Sequence, residues 1–319
     1  MSITPQNLAI IQHDSGMHHD TGPGHPERID RLRAVSAALG DDRFAEAQRF
    51  EAPPADIMAI ERVHMPGYAG AVLAAVPDQG LVQVDGDTIL SPGSGDAALH
   101  AAGGAVLAVD KVMTTEIERA FLAMRPPGHH AEPAECMGFC IFNNVAVAAA
   151  HALDAHGLER VAIVDFDVHH GNGTQTMAEA DARMLYISLH EFPLFPGTGL
   201  PQEQGVHGNI LNIPIRAGAT GEVYQRAFDA DVLPRLNEFA PQLLFVSAGF
   251  DADRRDPLAG VELGPADFHW MTAALSQVAH SHASGRIVSV LEGGYDLDAL
   301  EEGVMAHLTG LLDQQLSTV

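Results

Sequence analysis

The sequence predicts an α/β protein: a central, mainly parallel β-sheet flanked by helices on both faces, folded as one domain over residues 1–319. Three observations predict it. Short apolar, β-branched runs alternate with amphipathic helical stretches. The runs are apolar at consecutive positions, the pattern of strands covered on both faces. Polar residues able to do chemistry directly follow four of them, as they do where loops leave the carboxyl edge of an open parallel sheet. No internal repeat or low-complexity linker breaks residues 40–300, and a chain that is 46% hydrophobic can bury one large core.

Taken in order, "ERAFLAM" (118–124) is the first predicted strand, and "RPPGHH" leaves its end. A helix follows in "FNNVAVAAAHALDAHG" (142–157). "RVAIVDF" (160–166) is the next strand and runs into "DVHHGNGT"; "RMLYISL" (183–189) is another. A helix is expected over "EVYQRAFDADVLPRLNEFA" (222–240), then the strand "QLLFVSAGF" (242–250), followed by "DADRRDP". The helix "ADFHWMTAALSQVAHSHASG" (266–285) leads to the strand "RIVSVLEGG" (286–294), which ends in "YD". "DLDALEEGVMAHLTGLL" (296–312) closes the series as a helix.

Composition narrows the partners. A formal charge of −25, with Lys111 the one lysine, repels phosphates, so nucleic acid and anionic membranes are not expected partners and cationic substrates are favoured. The opening "MSITPQNLAIIQHDSG" has no basic leader and no apolar stretch approaches the roughly 18 residues a membrane span needs, so a soluble cytoplasmic protein is expected. Cys136 and Cys140 are too few for a disulfide framework. They are expected as reduced thiols; as half of a zinc site they lack a second pair at suitable spacing. A homo-oligomer is compatible with the sequence and not derivable from it.

The chemistry concentrates at the strand ends. Asp167 and His169 stand two apart after a strand, which points both side chains to one side. A carboxylate and an imidazole there make half of a metal site, Asp251 at another strand end can supply a third ligand, and three ligands leave a position open, as catalytic zinc requires. His129 and His130 are adjacent on a turn stiffened by Pro126, Pro127 and Gly128. Adjacent residues tend to point apart, so this pair acquires meaning only from its surroundings.

The stretches "GHPERIDRL", "LSPGSGDAALHAAGG", "RPPGHHA", "GFCIFNN", "VDFDVHHGNGT", "PGTG", "SAGFDADRRDPLAG" and "LEGGYD" run in order from about residue 12 to residue 305. In these the chain resembles the histone deacetylase superfamily, on its class II and bacterial deacetylase-like side. The resemblance implies an arginase-like fold, a catalytic Zn2+ and hydrolysis of acetyl-lysine or a related acetylated amine. Carried over position by position, Asp167, His169 and Asp251 are the zinc ligands. His130 is the general base, His129 its neighbour that helps place the attacking water, and Tyr295 the hydroxyl that stabilises the oxyanion. Asp165 is expected to accept the distal N–H of His129. Asn172 takes the place of an aspartate found in class I, so that an amide should orient His130 and raise its pKa less than a carboxylate would.

The same resemblance implies a structural K+ held by Asp165, Asp167, His169, Ser188 and the Leu189 carbonyl. It implies a tunnel for the substrate's methylene stem between Phe139 and Phe195, with Gly138 in its wall and Leu258 and Asp87 at the rim. Arg28 is expected near a cavity for acetate release. His18, His19 and His25 fall in the segment that shapes the entrance in the family, while His64, His100 and His190 receive no role. The alternatives are an acetylpolyamine amidohydrolase, a catalytically silent acyl-lysine-binding protein, and an arginase-like enzyme with two manganese ions, for which additional carboxylate ligands are not visible.

Overall fold

A computed structural model describes residues 4–114 and 117–313. In chain order its helices and strands are β1 (Leu8–Gln12), α1 (Asp30–Leu39), β2 (Gln48–Glu51), α2 (Ile57–Ile60), α3 (Tyr68–Ala75), β3 (Val82–Gln83), β4 (Ile89–Leu90), α4 (Ser94–Thr114), β5 (Arg119–Leu122) and α5 (Asn144–Ala155). Then come β6 (Val161–Asp165), α6 (Asn172–Ala178), β7 (Met184–Glu191), β8 (Ile210–Ile215), α7 (Gly221–Ala227), α8 (Leu233–Phe239), β9 (Leu243–Ala248), α9 (Pro265–His282), β10 (Ile287–Leu291) and α10 (Leu297–Leu312). Eight strands form one sheet in the order β2-β1-β5-β10-β9-β6-β7-β8, every pair parallel. A short antiparallel hairpin, β3 with β4, stands apart.

The consecutive apolar residues of each strand divide between the two faces. Ile10, Phe121, Val164, Val246 and Ile287 meet α1, α9 and α10 through Val35, Phe268 and Val304. Their neighbours Ile11, Leu122, Ile163, Phe245 and Val288 meet α4 and α5 through Ala105, Val109 and Val145. Each fully buried Leu, Ile, Val or Phe contributes about 1.5–3 kcal/mol. That burial is why these runs form strands rather than helices.

All five predicted strands are present, and the order they take brings β5, β10, β9 and β6 side by side. The four loops that carry the polar motifs therefore leave adjacent strand ends. Three further strands, β1, β2 and β8, extend the sheet beyond those predicted, and α1 and α4 extend the helical layers. Gly103 and Gly104 obscure α4 in the sequence, since glycine disfavours a helix interior. The contacts explain them: a Cβ at Gly103 would stand 2.0 Å from the Pro53 carbonyl oxygen, and one at Gly104 2.6 Å from Leu122. The helix expected over residues 222–240 is interrupted by a π-helical turn, Phe228–Val232. Pro234 follows at the start of α8, where its missing N–H is tolerated. Among the described residues no helix is long and apolar enough to cross a membrane.

An ion cluster formed by Glu27, Arg31 and Arg125 lies wholly inside. Glu27 accepts from Arg31 Nη1 at 2.9 Å and from Arg125 Nη2 at 2.6 Å, with Arg125 Nε also bonded to it. Burial alone would raise Glu27, yet the two guanidinium groups hold it down to about 2. Replacing Glu27 by Leu leaves two buried cations without their counter-charge, and the expected loss is about 3–5 kcal/mol. Arg28→Ala, which removes an exposed pair with Asp30, is expected to cost less than about 1 kcal/mol. Denaturant midpoints of the two variants against wild type check the contrast.

Candidate active site

β6 stops at Asp165, so Asp167 and His169 lie in the turn beyond the strand. The pleat does not align them, as the spacing suggested. Instead the turn folds back on Asp167 Oδ1, which accepts from the His169 amide at 2.9 Å. Asp251, three residues past β9, accepts from the Val168 amide at 2.9 Å through Oδ1 and turns Oδ2 to within 3.1 Å of His169 Nδ1. Asp167 Oδ1 stands 3.2 Å from the same nitrogen. All three residues are buried, and their donor atoms lie within 4.8 Å of one another.

Two glycines leave room for this cluster. A Cβ at Gly249 would lie 2.0 Å from Asp167 Oδ2, and one at Gly293 would lie 2.2 Å from Asp251 Oδ2 and 2.6 Å from Asp167 Oδ2. Charge points the same way. Burial, and then the charge of Asp167, push Asp251 up, while Asp167, which burial alone would raise, is held well down by His129 and His169. Two carboxylates and an imidazole facing one point fit a divalent cation, whose charge offsets their repulsion. Among the described residues Asp110, His151 and His156 form a second such group between α4 and α5. There Arg62 donates to His151 Nδ1 at 3.0 Å, so that ring turns an Nε2–H donor to Asp110 Oδ1 at 2.8 Å, and His156 Nε2 lies 2.8 Å from the same oxygen. That group is satisfied by hydrogen bonds.

The turn after β5 is clamped by Glu292, whose Oε2 accepts from the Gly128 and His129 amides at 2.7 and 3.1 Å and whose Oε1 accepts from Ser247 Oγ at 3.1 Å. His129 and His130 lie beside the cluster with ring centroids 4.0 Å apart and their planes tilted by 44°. His129 Nδ1 donates to Asp165 Oδ2 at 3.0 Å, which also accepts from Tyr186 Oη at 2.9 Å. His130 Nδ1 donates to Asn172 Oδ1 at 2.8 Å. Burial alone would lower His129, but Asp167, Asp165 and Glu292 raise it well above the usual value. Burial and the neighbouring His129 and His169 push His130 well below it. Two adjacent rings are thus pushed in opposite directions, His129 towards the charged form and His130 towards the neutral one.

Above them is a cavity of about 240 Å³ with His130, His169 and Tyr295 at its base. Gly138, Phe139 and Phe195 wall it, and Leu258 and Asp87 line it too. Gly138 takes a positive φ of 55°, and a Cβ there would stand 2.5 Å from the His130 ring. Phe139 also has a positive φ, 67°, held by its amide donating to Thr88 Oγ1 at 3.1 Å and by edge contacts with Tyr295 and His25. Asp256 joins two other parts of the cavity, accepting from the Leu258 amide at 3.0 Å and the Tyr295 amide at 2.7 Å. Burial and Asp251 keep the Tyr295 phenol far above its usual pKa, hence protonated.

Arg28 corrects an expectation. It is exposed and pairs with Asp30, because it precedes α1 and faces water. Arg31, in the first turn of α1, is buried instead. Its Nε donates to the Gly294 carbonyl at 2.7 Å, its Nη2 to the Glu292 carbonyl, and its guanidinium carbon sits 5.2 Å from the Tyr295 ring centre. Arg31, Glu292 and Asp256 are site residues that sequence reasoning missed. A carboxylate ending an apolar strand run, as in "VSVLEGG", was the available signal. Ser188 faces Asp165 across the β6–β7 register, with its hydroxyl 2.8 Å from His190 Nδ1, and Leu189 follows it. Cys136 Sγ contacts Tyr68 Oη at 3.1 Å and Cys140 is buried, so neither thiol joins the cluster. His19 is buried against Ser94, His25 is half-buried beside Asp87, and His18 is exposed.

A family model described as histone deacetylase domain matches residues 25–311. The chain is 42% identical over 309 residues to an uncharacterised protein of Synechocystis, covering 96% of this chain and 99% of that one. It is 37% identical to a probable deacetylase of Archaeoglobus fulgidus, covering 94% and 86%. It is 39% identical to a histone deacetylase-like amidohydrolase of Pseudomonas aeruginosa, covering 89% and 74%. In structure it superposes on the crystal structure of the HDA15 HD domain with a TM-score of 0.89 at 34% identity, covering 96% of this chain and 88% of that one.

The cradle makes a prediction that needs no substrate. Gly293→Ala forces a methyl group between Asp167 and Asp251 and is expected to cut bound divalent metal by about tenfold or more, as Asp251→Ala should. Metal per chain, measured by elemental analysis on folded protein, checks it; a full equivalent in either variant places the metal elsewhere.

Proposed function

The chain belongs to the histone deacetylase family, and from that premise we propose that it is a zinc-dependent deacetylase hydrolysing the amide of acetyl-lysine or a related acetylated amine. The observation that carries this reading is the meeting, at the base of one apolar-walled cavity, of a three-donor cation cradle, a neutral imidazole and a protonated phenol. Asp167, His169 and Asp251 would hold the zinc ion, a donor set of oxygen and nitrogen suited to it. When bound, zinc polarises the scissile carbonyl and acidifies the attacking water.

The rest is done by the chain's own groups. Because His130 Nδ1–H donates to Asn172, its Nε2 is free to take a proton from water and later to give it to the leaving amine. His129, held by Asp165, keeps positive charge beside the water. Tyr295 donates its hydroxyl proton in a hydrogen bond to the oxyanion of the tetrahedral intermediate. Phe139 and Phe195 offer apolar contact along a methylene stem and exclude water from the amide. The buried carboxylates Asp165 and Asp167 also support a structural potassium beside Ser188 and Leu189. The names of the Archaeoglobus and Pseudomonas relatives support deacetylation of this kind.

Acetyl-lysine or a small acetyl-amide is favoured over an acetylated polyamine. A polyamine carries further cationic amines past the amide, and selecting for them needs a carboxylate facing them; at the Leu258 position the rim offers only apolar contact, and Asp87, which also lines the cavity, is half-buried with burial and Asp85 raising its pKa. The net charge of −25 draws cations to the surface, but this diffuse field is screened beyond about 8–10 Å at physiological salt.

Turnover of an acetyl-lysine peptide, lost on chelation and restored by zinc, tests the central reading; a silent acyl-lysine binder would show none. Tyr295→Phe is expected to lower kcat by about 10²-fold or more with little change in KM, since one oxyanion donor is worth about 3 kcal/mol. Near-normal kcat would assign carbonyl stabilisation to another group. Leu258→Glu should shift kcat/KM from acetyl-lysine peptide towards N8-acetylspermidine. Wild type preferring the polyamine, or an unmoved ratio, sinks the rim argument.

A further inference from the structure

We propose that Glu132 sets the working tautomer of His130, acting through Asn172 as a positioning residue; this rests on the deacetylase reading of the site. Asn172 is the one polar side chain bonded to His130 Nδ1, through its carbonyl oxygen at 2.8 Å. An amide, unlike a carboxylate, has two faces. If it rotated by half a turn it would present N–H to Nδ1, and the proton would then have to sit on Nε2, where the general base needs its lone pair. Something must fix the amide's orientation.

Glu132 does so. Its Oε1 accepts from Asn172 Nδ2 at 2.6 Å, the shortest contact that amide makes. The other two acceptors, the His130 carbonyl and Met137 Sδ, are each 3.3 Å away. An ionised carboxylate only accepts hydrogen bonds, so the rotated amide would set its oxygen against a carboxylate oxygen. The orientation shown makes His130 Nδ1 the protonated nitrogen.

Glu132 is itself held in place. His64 Nδ1 donates to the Glu132 carbonyl at 3.0 Å while His64 Nε2 accepts from the Asn143 amide at 2.9 Å, and the Glu132 amide donates to the Glu135 carbonyl at 3.0 Å. Burial pushes His64 down to about 4, so it remains neutral with one donor and one acceptor, as both bonds require. The far side of the Glu132 carboxylate faces an open groove with Met137, Pro196 and Thr198. Solvent there limits its desolvation cost. Asn at 172 and Glu at 132 therefore form one unit: an aspartate at 172 would bring two carboxylates within the present 2.6 Å.

Charge exchange tests this. Glu132→Ala should lower kcat about tenfold or more with KM nearly unchanged, whereas Glu132→Gln, whose carbonyl can still accept from Asn172 but whose NH2 group no longer forbids the rotated amide, should lose less than Glu132→Ala. Asn172→Asp should lose activity, and adding Glu132→Gln, whose amide donates to the new aspartate, should recover about tenfold of it. In 15N-histidine-labelled protein, with His130 assigned by His130→Asn, the Nδ1–H signal should dominate in wild type and give way to Nε2–H in Glu132→Ala. Glu132→Ala with unchanged kcat and tautomer, or a double variant no better than Asn172→Asp, overturns the proposal. Should wild type turn over no acetylated amine, the functional reading fails, while the tautomer measurement still decides the role of Glu132.

Discussion

Four buried carboxylates from separate loops and strand ends gather at the carboxyl edge of a parallel sheet: Asp165, Asp167, Asp251 and Glu292. Isolated in an apolar interior, each would protonate or unfold its surroundings. Here they are divided among backbone amides, two imidazoles and a cation cradle. Burial pushes Glu292 up to about 7 even with His129 nearby and two amides bonded to it. This concentration of carboxylates is the constraint to which the rest of the site answers, and it explains why the pKa of His129 is driven up and why the cluster fits a metal ion.

The loops around that charge are held by contacts that do not touch the cavity. Glu292 ties the turn after β5 to the end of β10. Arg31 fastens the carbonyls of Glu292 and Gly294, and Glu27 connects Arg31 to Arg125 at the start of the histidine turn. Tyr295 and the histidines therefore share one frame, so a shift at either loop would move the phenol and the imidazoles together. Gly249 and Gly293 complete it, because any side chain would occupy the space the carboxylates use.

The cavity above divides its work between electrostatics at the base and apolar walls higher up. His130 and Tyr295 are both pushed towards the neutral form, one by burial and its neighbouring histidines and the other by burial near carboxylates. Their surroundings differ enough to suit one to the proposed part of base and the other to that of donor. Phe139 accepts a strained backbone to stand in the wall, which suggests that shape there is specified as closely as charge below.

Apolar runs such as "VAIVDF" and "VSVLEGG" are long enough, and apolar enough on both faces, to require a buried parallel sheet, and the residues after them mark its chemical edge. That Asp167, His169, Asp251, the histidine pair and Tyr295 stand at strand ends was legible for that reason, whereas the pairing of Asp165 and Asn172 with the histidines was expected only from the family resemblance, and the structure places both within hydrogen-bond distance of them. Sequence could not say that β5, β10, β9 and β6 are adjacent, because strand order depends on which helices cover which face. Nor could it separate Arg28 from Arg31, three residues apart in one motif: only the start of α1 turns one to water and the other to Gly294. The roles of Glu27, Glu132 and Glu292 were equally hidden. A glutamate reads as surface by default, and it becomes structural only when distant backbone brings donors to it: Gly128, Asn172 or Arg125, from 40 to 164 residues away.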